Sequence, residues 1–234
     1  ERTAMDVYWD SPERYKDFVR DFGDGDSASA YAIPLTVAWA RDSRDSSLVP
    51  TKGRYQKANL EVSMLGDMKY YKASYQHQYF IPMFEGGTLA LNGMFDYGKG
   101  LGGKPYPVFK NVYAGGMGTV RGYESSSLGQ VEYDYDGDRE YLGGTKRVVG
   151  NVELQFPMPG MGGDRTLRWF TFLDGGNVFT DEQNIDFGDL RYSAGFGVSW
   201  VSPIGPLKLS YGFPLNAKEG DRKEAFQFQL GTGF

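Results

Sequence analysis

The sequence contains no cysteine and a single histidine, His77. The first absence excludes disulfides and thiolate metal sites, and the second leaves no set of imidazoles to hold a metal. A serine–histidine hydrolase would rest on His77 alone, and no Gly-x-Ser-x-Gly elbow accompanies it. Excess positive charge is missing too. Lys and Arg number 25 against 30 Asp and Glu, a net charge of −5, so the basic stripe of a nucleic-acid binder is not there. No run of about 18 apolar residues occurs, which excludes a transmembrane helix. A transmembrane barrel is untouched by that test, because its strands alternate lipid-facing and lumen-facing residues. The chain opens on Glu1 with neither an initiator methionine nor a signal peptide, and so reads as mature, trimmed or a piece.

What is present is glycine and aromatic residues: 33 Gly, 17 Tyr and 16 Phe, without helical periodicity, which favours an all-β chain with many tight turns. Apolar residues recur at every second position. Over residues 225–234, Phe226, Phe228, Leu230, Thr232 and Phe234 alternate with Gln227, Gln229, Gly231 and Gly233. Ten residues of period 2 is the length a tilted membrane strand needs. Similar alternation runs through Tyr192–Trp200, Leu207–Phe213, Asn151–Phe156, Lys57–Met64, Tyr71–Tyr79 and Leu89–Tyr97. Residues 31–41 and 168–179 alternate less cleanly, and residues 1–8 read as the end of a strand; the total is roughly ten.

A soluble sandwich would also alternate. Tyrosine and tryptophan at strand ends (Trp39, Tyr79, Tyr97, Trp169, Trp200) instead match the aromatic girdles of a membrane barrel. The links support that class. Residues 43–54, 84–87 and 202–206 are short connections on one side, whereas 9–30 and 98–148 are long; 66–69 and 180–190 fall on the long-loop side. In outer-membrane barrels the long loops are extracellular and the short turns periplasmic, which places the C-terminus in the periplasm. Within 9–30, residues 11–22 predict a short helix on an extracellular loop, with Ser11 as cap, Pro12 in the first turn, an apolar face of Tyr15, Phe18, Val19 and Phe22, and Gly23 as stop.

The loop 98–148 carries Gly115-Gly116-Met117-Gly118-Thr119-Val120-Arg121-Gly122-Tyr123. It lacks the Gly-Lys-Ser/Thr ending and the strand-to-helix setting of a phosphate loop. Its glycines permit close backbone packing, and it can deliver one guanidinium into an interior, where that charge must be paired. Alternation puts Glu153 and Asp174 on inward positions, and a planar fork of donors suits two carboxylates. Spacing leaves open the alternative that the three charges merely line a wet channel. The acidic run Glu132, Asp134, Asp136, Asp138 and Glu140 lacks the ligand order of a calcium loop and reads as a solvated face. His77 falls on the outward face of its strand, as an interfacial histidine.

These residues carry a resemblance. Asn111–Gly116 followed by Val120-Arg121-Gly122-Tyr123 resembles the sixth-loop motif of the Omp85 superfamily. Phe172–Phe179, Arg191–Gly197, Ser202–Tyr211 and Phe226–Gly231 resemble its later strands. The resemblance covers essentially the whole chain and is strongest from residue 106 onward. It implies the C-terminal ten strands of a sixteen-stranded transmembrane antiparallel barrel, with the periplasmic POTRA domains and first six strands outside this sequence. It further implies that Arg121, Gly122 and Tyr123 lock a lumen-inserted loop onto Glu153 and Asp174. The last strand, with Phe226, Phe228, Leu230, Gly231, Gly233 and Phe234, would border a lateral gate. The expected activity is folding and insertion of barrel proteins in the outer membrane of a Gram-negative bacterium. The expected partners are unfolded outer-membrane proteins, accessory assembly lipoproteins and the lipid bilayer, with no cofactor and no covalent chemistry. A secretion transporter of the same superfamily is the alternative, and a ten-stranded pore or enzyme a more distant one.

Overall fold

The computed structural model describes residues 1–84, 86–134, 137–160, 166–203 and 205–231. Ten strands build one wall: β1 (Arg2–Asp6), β2 (Ser27–Asp42), β3 (Gly53–Gly66), β4 (Tyr70–Pro82), β5 (Thr88–Gly100), β6 (Lys146–Pro157), β7 (Leu167–Phe179), β8 (Arg191–Ser202), β9 (Gly205–Pro214) and β10 (Phe226–Leu230). Each pairs antiparallel with the next in chain order. The sheet does not close. Its two edges among the described residues are β1 and β10.

Period-2 alternation sorts the side chains to two faces. Outward positions remain exposed although apolar: Leu35 is 71% exposed, Phe196 53% and Phe228 68%, with Val37, Leu60, Val152, Leu173 and Leu209 between them. So broad an apolar band suits lipid rather than water. Trp39, Tyr79, Trp169 and Trp200 ring the short-turn end of this face, and Trp169 stacks on Phe156 at 4.2 Å. At the opposite end Tyr97 stacks on Tyr71, 6.0 Å between centroids. His77 lies on the outer face between the rings of Tyr75 and Tyr79, 6.3 and 6.4 Å away.

β2 alternates poorly in sequence for a physical reason. Its inward positions include Ala28, Ala30 and Ala32, so both faces read as apolar; the register shift beside Ala32 and Pro34 puts its extra residue on β3, where the consecutive Met64 and Leu65 are both exposed. The helix α1 spans Glu13–Phe22 and buries Phe18 and Val19. Tyr15 and Phe22 join them against Ala28, Ala30, Met68, Tyr70 and Tyr106. The apolar face is the one the sequence predicts, but the cap is not. Pro12 occupies the N-cap without a side-chain bond, and the Ser11 hydroxyl instead accepts the Tyr8 N–H at 2.9 Å. Arg14 on the helix pairs with Glu132 at 3.0 Å, so one end of the acidic run is tied to a cation; Asp136 of that run lies outside the described residues.

The segment between β5 and β6 lies against the inner face. A short 3₁₀ turn (Val108–Lys110) and bridges Val112–Gly144 and Ala114–Leu128 fold it into a compact plug. Its underside packs Val112, Ala114, Val120, Tyr123 and Leu128 onto Val149 of β6 and Val178 of β7. Burying each such side chain contributes about 1.5–3 kcal/mol before entropy, enough in sum to hold a loop of this length in place.

Candidate functional site

Arg121 sits at the tip of the plug, 1% exposed, the largest fully buried side chain among the described residues. Its Nε and Nη2 donate to the two oxygens of Asp174, each at 2.7 Å, and its backbone N–H reaches Asp174 Oδ2 at 3.1 Å. Nη1 donates to Glu153 Oε2 at 2.5 Å. A planar guanidinium can make this two-sided fork and an ammonium cannot. Burial acts to lower the Arg121 pKa, but the Asp174 bond and both carboxylate charges outweigh it and hold the guanidinium charged.

The structure brings Arg121, Glu153 and Asp174 together and adds partners that sequence reasoning missed. Lys208 on β9 donates Nζ to both Glu153 oxygens, at 3.1 and 2.9 Å. Two cations thus face two carboxylates, so the buried cluster is neutral by formal charge. The ring of Phe172 lies 3.7 Å below the guanidinium carbon, and Phe170 lies 4.7 Å from Lys208 Nζ. Cation–π attraction adds about 1–2 kcal/mol per desolvated pair. Gln155 Nε2 donates to Glu153 Oε1 at 2.9 Å, and Asn151 Nδ2 holds the Thr119 carbonyl at 2.5 Å. The same inward alternation that singles out Glu153 also points to Lys208.

Gly122 and Tyr123 extend the contact along the wall to β8 and β9. Gly122 has φ +86° and rests on Gly212 of β9, where a Cβ would come within 2.8 Å of the Gly122 nitrogen. A side chain at either position would push the loop off the wall. Tyr123 is fully buried, and its hydroxyl donates to the Tyr192 carbonyl at 3.3 Å. Gly122–Tyr123 pairs with Lys223–Glu224, the segment leading into β10.

On β10, Phe226, Phe228 and Leu230 point outward and are exposed, while Gln227 points inward and is buried. Gly231 has φ +106° and its N–H donates to the Pro206 carbonyl at 2.8 Å. Gly233 and Phe234 lie outside the described residues. Among the described residues β10 pairs with β9 from Leu207↔Leu230 to Tyr211↔Phe226, flanked by the bonds Gly231 N–H to the Pro206 carbonyl and Gly212 N–H to the Ala225 carbonyl. Among the described residues its other edge has no strand partner. No cluster of His, Cys, Asp and Glu capable of holding a metal occurs among the described residues.

An Arg-centred plug loop on an open antiparallel wall is the geometry on which comparison with known proteins turns. The Omp85 superfamily domain matches residues 9–234. The chain belongs to the Omp85 superfamily. It is 38% identical to the outer membrane protein assembly factor BamA of Neisseria meningitidis serogroup B, over the whole of this chain and 33% of that protein. It is 31% identical to the sorting and assembly machinery component 50 homolog of Mus musculus, over 89% of this chain and 47% of that one. Its fold matches the crystal structure of BamA from Haemophilus ducreyi lacking POTRA domains 1–3 with a TM-score of 0.85. That match has 26% identity and covers 97% of this chain and 48% of the other. The Omp85 chain thus spans a third to a half of the proteins it resembles, and its wall corresponds to part of the BamA barrel.

Proposed function

We propose that this chain is the C-terminal part of an outer-membrane insertase barrel, and that β10 borders the seam where a substrate barrel adds its strands. The observation that carries the reading is that β10 ends the wall with no strand partner on its other side among the described residues, while the tip of the plug loop reaches it from within through Gln227 and the Lys223–Glu224 ladder. A strand edge in hydrocarbon leaves backbone N–H and C=O groups unsatisfied at several kcal/mol each, so such an edge must be covered or must capture another strand. An incoming strand would satisfy it by β-augmentation. The driving force is the substrate's own burial of backbone and apolar surface, so neither a nucleotide nor a metal has a step to perform. The names of the relatives, an assembly factor and a sorting and assembly component, support the same reading.

In this reading Arg121, Gly122 and Tyr123, with Glu153 and Asp174, are the lock that keeps the plug seated and the wall in shape. The segment 9–30 lies outside the cell, the loop 98–148 enters the lumen from that side, and the C-terminus is periplasmic. Phe226, Phe228 and Leu230 belong to the seam strand, and Gly231 follows it. Unfolded outer-membrane proteins are the substrates, with accessory lipoproteins and the bilayer as partners. The test is to tether Phe228→Cys to a cysteine on whichever strand meets β10 in the assembled barrel. Substrate insertion into lipid vesicles should stop when the tether forms and resume on reduction. Insertion at the normal rate with the seam tethered shut would end this account.

A further inference from the structure

Gln227 stands at the centre of a contact that the lock itself does not require. Its side-chain Oε1 accepts the Gly122 N–H at 3.2 Å, while its Nε2 donates to the Tyr123 carbonyl at 2.7 Å and to Glu224 Oε2 at 3.2 Å. The primary amide offers one acceptor and one donor, and so serves the loop backbone as a neighbouring peptide would. Two further bonds and a short ladder tie the same region together. Glu124 N–H donates to the Arg222 carbonyl at 3.0 Å, Gly212 N–H to the Ala225 carbonyl at 2.8 Å, and Lys223–Glu224 ladders with Gly122–Tyr123. One residue earlier, Arg121 is fastened to β6 and β7 through Glu153 and Asp174. The loop tip is therefore a brace, anchored at one end to β6 and β7 and at the other to the last strand.

We infer that Gln227 is a positioning residue that couples the seating of the plug loop to the position and register of β10. Slipping β10 by one residue would turn Gln227 outward and drive Phe226 or Phe228 into the loop backbone. Moving β10 away from β9 breaks the amide clamp, and unseating Arg121 removes the backbone that Gln227 holds. Coupling of this kind is reciprocal: whatever the loop does for the strand, the strand does equally for the loop. The functional meaning rests on the reading of β10 as the seam strand, because the brace then lets the edge sense whether the plug is in place.

Amide hydrogen exchange on the intact protein in lipid vesicles tests this. Gln227→Leu should speed exchange at 226–230 and also at 121–124 by about tenfold, the worth of a buried hydrogen bond or two, and leave the β4–β5 ladder unchanged. Arg121→Ala should speed exchange at 226–230 in the wild-type background and add little once Gln227→Leu is present. Gln227→Glu supplies a readout that a purely structural role would not move. As a carboxylate it keeps the acceptor but faces the Tyr123 carbonyl and Glu224 with a negative charge. Protonated, it regains a donor, so its loop protection should recover as pH falls from about 8 to about 4. Unchanged exchange at 121–124 in Gln227→Leu, or effects of Arg121→Ala and Gln227→Leu that simply multiply, would overturn the coupling. Coupling that is present while substrate fails to crosslink to β10 would uphold this inference and refute the seam reading instead.

Discussion

Arg121 and Asp174 depend on each other more heavily than Arg121 and Glu153 do. Asp174 receives two guanidinium N–H groups and the Arg121 backbone N–H, whereas Glu153 also holds Lys208. Arg121→Ala therefore leaves Asp174 as the buried carboxylate deprived of its cation, a loss of about 3–5 kcal/mol. The expected outcome is a lower melting temperature together with proteolysis between Gly115 and Ser126. Adding Asp174→Asn should recover much of the melting temperature, because the orphan charge is gone, but should leave the loop open to protease. Recovery of both, or of neither, would show that the fork is not what seats the loop. At this scale the sequence is explicit about Arg121, Glu153 and Asp174 through alternation and chemistry. It does not single out Lys208, Gln227 or Gly212 as partners of the loop. Each sits on an inward position, yet which inward residues meet is decided by the path of a loop that reaches wall residues some 30 to 105 positions further along the chain.

Among the elements, strands were the easiest to read, because their side-chain period survives whatever they pack against. β8 and β9 alternate strictly and appear where the pattern puts them, and β10 does so over Phe226–Leu230, with 232–234 of the expected strand outside the described residues. β2 blurs because its inward positions include the alanines Ala28, Ala30 and Ala32, and the helix keeps its apolar face but not its cap, since the Ser11 hydroxyl accepts the Tyr8 N–H. The β2–β3 connection carries a pH-dependent feature. Asp45 accepts the Thr51 and Lys52 N–H groups at 2.8 and 3.1 Å and the Thr51 hydroxyl. Burial opposes the shift, yet these bonds lower its pKa from 3.8 to about 2. A carboxylate with a depressed folded pKa contributes above its unfolded value and loses that contribution as pH falls through the folded one. The turn should therefore stay ordered above about pH 4 and loosen towards pH 2. Asp45→Asn should be loose at neutral pH already. Amide resonances of Thr51 and Lys52 report both, and a turn whose order is flat across that range would contradict the assignment.

For the molecule as a whole, an apolar outer face, a neutral buried cluster on the inner face and five-pair ladders at both margins describe a long wall with two open edges, of which β10 is the one that the Gly122–Tyr123 tip of the loop reaches. β10 joins β9 through five residue pairs, and the loop brace touches the same strand from inside. Membership of the Omp85 superfamily rests on the whole chain, whereas the working edge rests on the brace that joins the loop to β10. Site-specific photocrosslinking tests it most directly, with probes placed one at a time at Phe226, Phe228, Leu230, Lys208 and Ser63 while a substrate barrel is being inserted. The account predicts adducts between the β10 probes and the substrate's terminal strand, and none from the inner-face positions Lys208 and Ser63. Substrate captured by Lys208 and Ser63 but not by β10 would mean passage through the lumen, and would contradict insertion at the seam.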